Sequence, residues 1–169
     1  EIVNGGNFHA QPVAYAADIV ALALAEIGSI SERHTALLVD GRRSGLPDRL
    51  ISGDGLDSGF NTAHVTASAL VAENRSLATP SSVDSIPTSG SGQDHVSMSA
   101  YAALRLTQMV RNVGYIVAVE LLAATQALEL RESSAEADLS LGTDELDRAR
   151  ALVRSRTEHV TRDHIYAGD

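Results

Sequence analysis

Gln93-Asp94-His95 places an amide, a carboxylate and an imidazole side by side where a polar loop runs into a helical pattern. These side chains can accept, donate and carry protons, and loops held by a rigid scaffold are where such groups collect. Without a partner, Gln93 reads equally well as a surface amide. Phe8 and His9 precede Pro12 and an apolar run. There Phe8 could be a staple packing the helix entry, or it could be the wall of a pocket. His9 could cap that helix or stand behind the pocket, with Asn7 beside it. Metal binding is not expected: no two histidines have His-x-x-x-His spacing with an acid between them, and the chain has no cysteine. Nor is a serine nucleophile expected, because Gly90-Ser91-Gly92 lacks the strand-turn-helix setting of a nucleophile elbow and reads as a hinge.

The elements that must position these residues are helical. Residues 79–98 carry two prolines and a dense run of Ser and Thr, which resists helix and strand alike. Before it, Val13, Ala16, Ala17, Val20, Leu24 and Ile27 form a helical face over 13–27. Gly28 is expected to end that helix, and a short one follows to Val39. The Gly-rich stretch 40–59 reads as loop, and 60–77 as a helix with Ala63, Ala67, Leu70, Val71 and Asn74 at turn spacing. After the organising loop, residues 96–130 form the longest pattern, with Met98, Tyr101, Ala102, Leu106, Met109, Val110 and Val113 as one stripe. Residues 113–119 are apolar nearly all round, which demands partners on every side. The expectation is that this helix packs on other chains or on a missing segment. Thr143 is the expected N-cap of a last, charged helix, with Asp144 and Glu145 in its first turn.

The chain has 169 residues, 44% of them hydrophobic and 4% aromatic, enough for one domain with a closely packed core. Its 13 basic residues are all Arg, and with 22 acidic residues the net charge is −9, which argues against a nucleic-acid partner. Asp18, Glu26, Arg111, Glu120 and Glu129 interrupt the hydrophobic runs, so no membrane partner is expected and a cytoplasmic setting is the default.

Ser82-Val83-Asp84-Ser85-Ile86-Pro87-Thr88-Ser89 followed by Gln93-Asp94-His95-Val96-Ser97-Met98 resembles the aromatic amino acid ammonia-lyases, the histidine, phenylalanine and tyrosine enzymes with their related aminomutases. Gly6-Asn7-Phe8-His9-Ala10-Gln11-Pro12-Val13 is similar to a second motif of that family, with Ala10 where Gly is usual. Ser44-Gly45-Leu46-Pro47, Asp57-Ser58-Gly59-Phe60 and Glu120-Leu121-Leu122-Ala123-Ala124-Thr125-Gln126 fall in the family's order and spacing. The departures are Ala10 and the run Gly90-Ser91-Gly92.

The resemblance implies an all-α long-helix bundle. Residues 1–169 would be the C-terminal helical part of a subunit about three times longer. It implies elimination of ammonia from an L-aromatic amino acid to give an arylacrylate, inside a tetramer whose sites draw on three subunits. It also implies a methylideneimidazolone electrophile made from an Ala-Ser-Gly segment, which this chain does not contain. The family's catalytic Tyr and carboxylate-binding Arg would likewise lie in the missing N-terminal half or partner subunit. On that reading no catalytic residue lies here, the chain alone is inactive, and Phe8 and Gln93 bind substrate with His9 and Asn7 in support. The resemblance places Gln93 where histidine-specific members carry Glu and phenylalanine or tyrosine types carry Gln, so it favours a phenyl or phenol substrate, with histidine the alternative. A non-catalytic assembly module of the same descent is the other expectation.

Overall fold

The structure is a computed structural model describing residues 1–3, 5, 7–53, 55–134 and 143–163. Its helices are α1 (Gln11–Val39), α2 (Gly41–Ser44), α3 (Asn61–Leu77), α4 (Ser99–Glu132) and α5 (Asp144–Arg154), with 3-10 turns at Asn7–His9, Asp48–Leu50 and Ser89–Ser91. Among the described residues the strand-like pairing is the single antiparallel bridge of Thr88 with Gln93. The expectation of an all-α fold is met.

Two of the expected boundaries change. Gly28 does not stop α1, which runs unbroken for 29 residues. A lone Gly costs a helix only about 1 kcal/mol, and strong helix formers on both sides carry propagation through it. Within the stretch read as loop, Asp40 caps α2 by accepting from the Arg42 N–H at 3.1 Å, and Gly45 closes it at φ 70°.

The face of α1 also differs from the expected one. Ala14, Ala17 and Ala21 are buried, whereas Val13, Val20 and Ile27 are exposed. Small side chains are what meet the rest of this chain, and the larger apolar residues point away from it. On α4, Ala102, Met109 and Ile116 are buried while Tyr101, Val110 and Tyr115 are exposed. By length and composition α1 and α4 are each able to cross a membrane, a test that core helices of soluble proteins also pass.

The chain forms two units, each assembled from separate stretches. The first comprises Glu1–Ser29 and Leu70–Gly114. Its core joins Ala14, Ala17 and Ala102, then Ala21, Ala78 and Met109, with Leu106 packed against both groups. A buried amide pair crosses it: Asn112 Nδ2 donates to Asn74 Oδ1 at 3.0 Å, and Asn74 donates to the Met109 carbonyl.

The second unit comprises Ile30–Ala69 and Tyr115–Asp169. Leu50, Ile51, Phe60, Ala123, Ala127 and Val160 are its core. Gln126 is fully buried there and donates to the carbonyls of Leu50 (3.1 Å) and Val160 (2.8 Å). It also accepts from the Val160 N–H and from Arg154. Asp163 accepts from the backbone N–H groups of Ser58 and Gly59, both at 2.8 Å, just ahead of α3. These bonds strap the segment after α5 to α4 and to the turn before α3. Thr143 caps α5 as expected, accepting from the Leu146 N–H.

Candidate functional site

The first unit brings the two motif regions together. Asn7, Phe8 and His9 form a 3-10 turn, and Ala10 then adopts φ 59°. This left-handed residue turns the chain into α1, its carbonyl accepting from the N–H groups of Val13 and Ala14. A residue with a Cβ is disfavoured there, which accounts for the Gly usual at that motif position. The His9 ring stacks on His95 with centroids 5.3 Å apart and planes 2° from parallel, although the two lie 86 residues apart. His9 Nε2 lies 2.8 Å from the His95 carbonyl oxygen. A carbonyl only accepts, so Nε2 is the donor in this bond. Phe8 meets His9 edge to face at 6.5 Å and is 83% exposed. It therefore does not serve as a buried staple.

The loop that delivers His95 is held at both ends. The Val96 N–H donates to Ser85 Oγ at 2.9 Å. Thr88 and Gln93 exchange backbone bonds at 2.9 and 3.2 Å around the turn Ser89–Ser91. This stretch is thus a closed, hydrogen-bonded turn and not the hinge that its composition suggests. Ser89, Gly90 and Ser91 all have positive φ. The Gln93 side chain is exposed, and the hydrogen bonds at this position belong to its backbone. His9 therefore contacts both Phe8 and His95, while Gln93 stands two residues away on the same loop.

At the loop's other end lies a group that sequence reasoning passed over. The Asp18 carboxylate accepts from the N–H groups of Ser81 (3.1 Å) and Ser82 (3.0 Å) and pairs with the Arg105 guanidinium. Burial pushes the Asp18 carboxyl up, but the bonds from Ser82 and Ser81 and the charge of Arg105 together hold it below its ordinary value. Arg105 also donates to the carbonyls of Leu77 (2.8 Å) and Thr79. Gln11 Nε2 lies 3.4 Å from the Ser82 carbonyl. The available signal was a charge on each helix next to a buried alanine; Asp18 read only as an interruption of an apolar run, and Arg105 was not singled out.

A cavity of about 330 Å³ lies elsewhere, in the second unit, lined by Pro47, Asp48, Arg49, Ile51 and Asp57 among others. None of the motif residues Phe8, His9, Gln93 and His95 lines it. The exposed aromatic group on the first unit has more of what recognition of a ring requires. Among the described residues no group of three or more His, Cys, Asp or Glu side chains is arranged to hold a metal ion.

The family model described as aromatic amino acid lyase matches residues 1–155. The chain belongs to the aromatic amino acid lyase family. Over all 169 residues it is 48% identical to the histidine ammonia-lyase of Burkholderia multivorans and 50% identical to that of Photobacterium profundum, spanning 32% of the length of each. The chain thus covers about a third of the curated relatives it matches. Among solved structures it resembles histidine ammonia-lyase from Trypanosoma cruzi, with 39% identity and a TM-score of 0.89 over 99% of this chain and 32% of that one. Tyrosine aminomutase from Streptomyces globisporus gives 38% identity and the same TM-score, over 99% of this chain and 31% of that one. Lyase and aminomutase are therefore equally close in fold.

Proposed function

We propose that this lyase-family chain is part of an ammonia-lyase that eliminates ammonia from an aromatic amino acid, and that histidine is the substrate. The observation that carries the reading is the His9–His95 stack with Phe8 against it, which joins the two motif regions into one exposed aromatic surface. Phe8 and Gln93 would bind substrate there, with His9 and the Asn7 backbone setting the turn that presents Phe8. A surface this open supports a site completed by residues outside the chain, from a further segment or another subunit of an oligomer. The exposed large residues of α1 and α4 support the same reading. A methylideneimidazolone group, when bound, supplies the electrophile that turns the amine into a leaving group. No Ala-Ser-Gly occurs in this sequence, so the residues present here would border that group and not form it. By the same reading the isolated chain has no turnover, and the assembled enzyme works in the cytoplasm.

The phenyl or phenol preference inferred from Gln93 lacks support. The similar curated relatives are histidine ammonia-lyases at 48–50% identity over the whole chain. An amide has both a donor and an acceptor, so it can serve either nitrogen of a neutral imidazole, and a carboxylate is not required.

The test is turnover by the complete lyase polypeptide carrying this chain. The ultraviolet absorbance of the arylacrylate would be followed with histidine, phenylalanine and tyrosine in parallel, with chromatography to detect any β-amino acid. We expect the largest kcat/KM with histidine. A larger value with tyrosine or phenylalanine refutes the substrate, accumulation of a β-amino acid points to an aminomutase, and absence of turnover on all three favours the assembly module. Gln93→Glu should shift the histidine-to-phenylalanine ratio of kcat/KM by more than about twofold, or about 0.4 kcal/mol. A smaller shift means that Gln93 does not face the ring.

A further inference from the structure

We infer that Asp18 and Arg105 are positioning residues for the loop that carries Gln93 and His95. The inference rests on the lyase reading above and adds to it the device that sets the loop's place. Residues 79–98 are mostly exposed, so burial holds little of the loop. Its backbone enters the left-handed region at Ser89, Gly90, Ser91 and Met98. Non-Gly residues stay in that region only where their surroundings over-determine them. The restraint at the loop's start is the buried ion pair, whose Arg105 and Asp18 side chains are 2% and 7% exposed.

What the pair bonds to shows what it does. The two Asp18 oxygens take consecutive N–H groups, those of Ser81 and Ser82. Arg105 donates to the Leu77 carbonyl, at the end of α3, and to the Thr79 carbonyl, at the start of the loop. Apart from their mutual bond and a side-chain bond from Ser82 to Asp18, these polar contacts go to backbone at the α3–loop junction. An apolar pair of the same volume could pack between α1 and α4 at similar stability. Only a carboxylate facing a planar guanidinium fork can take two N–H groups and serve two carbonyls at once. At the far end the loop is tied by the Ser85 bond to Val96 and by the His9 bond to the His95 carbonyl. The path from Ser82 to His95 is therefore fixed from its two ends, and Asp18 with Arg105 is the buried one.

The experiment combines amide hydrogen exchange with steady-state kinetics on the complete lyase polypeptide. The variants are Asp18→Asn, which loses the charge, and Arg105→Lys, which keeps the charge opposite Asp18 but not the fork. Glu32→Gln is the control, a buried acid of the second unit bonded to His64 and Ser68. We expect exchange over residues 80–96 to rise at least tenfold in both loop variants, with residues 99–114 within twofold of the parent. Their kcat/KM should fall at least tenfold, chiefly through KM, while Glu32→Gln leaves loop exchange and KM within twofold. Arg105→Lys retains the ion pair, so it reports even if Asp18→Asn fails to fold. Unchanged loop exchange overturns the inference. So does a rise spread equally over α4, or one matched by Glu32→Gln. Loss of kcat/KM through kcat alone, with the loop unloosened, overturns it as well. Exchange is read without turnover, so an inactive parent would refute the lyase reading while the exchange arm still decides the inference.

Discussion

Replacing Gln126 by Leu would release the strap that follows α5. The amide is fully buried and gives its two N–H donors to the carbonyls of Leu50 and Val160, while its oxygen accepts from the Val160 N–H and from Arg154. Leu has similar volume, so the packing term is small and the loss is polar. Three backbone groups and one guanidinium N–H lose their partner, and a buried group left unsatisfied costs about 1–3 kcal/mol. Opening the strap lets water reach most of them, so the net effect on strap opening is about 2–3 kcal/mol. By the factor of ten per 1.4 kcal/mol, that raises the open population roughly 30- to 140-fold. Arg156 and Arg162 are exposed residues of the strap, which makes trypsin a direct probe of its opening. At low protease, cleavage tracks the open population. We expect initial cleavage after these two residues to accelerate by at least tenfold in Gln126→Leu, with the single α1 site, Arg33, unchanged. Acceleration below threefold would refute the claim that Gln126 holds the strap, as would an equal rise at every site.

Three further outcomes follow from the same geometry. Bonding to Arg154 is the largest influence on Glu129, aided by His159 and opposed by burial, and it holds the carboxyl at about 2. A depressed carboxyl stabilises above its unfolded value near 4.5, and that contribution is lost as pH falls from about 5 towards 2. It is worth at most about 3 kcal/mol. Circular dichroism against pH should show Glu129→Gln less stable at pH 7 and flatter across that window, and an unchanged slope would contradict the assignment. Ala10→Gly removes a left-handed Cβ and should stabilise by about 0.5–1 kcal/mol after the entropy cost of Gly; a lower denaturation midpoint would exclude the φ assigned to Ala10. Gly59→Ala places a Cβ 2.6 Å from the Arg49 carbonyl at φ 50° and should cost 2 kcal/mol or more, on the order of other overpacked sites; a neutral midpoint would refute the tight turn.

Some of this molecule could be read from single stretches. The periodicity over Ala67, Val71 and Asn74 gave the buried face of α3, and Thr143 with the acids after it gave the cap of α5. The prolines and hydroxyls of 79–98 marked the loop. The inward face of α1 could not be read, because Val13, Val20 and Ile27 are as apolar as any core residue. Periodicity reports that a face is apolar, not whether its partner lies in the same chain. The His9–His95 stack spans 86 residues and has no local signature. The Asp18–Arg105 pair was visible only as two charges among alanines, and the bonds that give it meaning end on backbone atoms, which sequence does not display.

The interleaving of the two units bears on how the polypeptide is made. The first unit needs Glu1–Ser29 to find Leu70–Gly114, yet all of 30–69 must be synthesised between them. At about 5–20 residues per second α1 waits several seconds on the ribosome before its partners in the first unit emerge. During that interval the side chains that α4 will cover are uncovered on a segment already rich in exposed Val, Ile and Leu. Closing the intervening loop also carries an entropy cost. A ribosome stalled before residue 70 should display α1 as an open, protease-sensitive helix, and one stalled far enough past residue 114 for that residue to clear the exit tunnel should not.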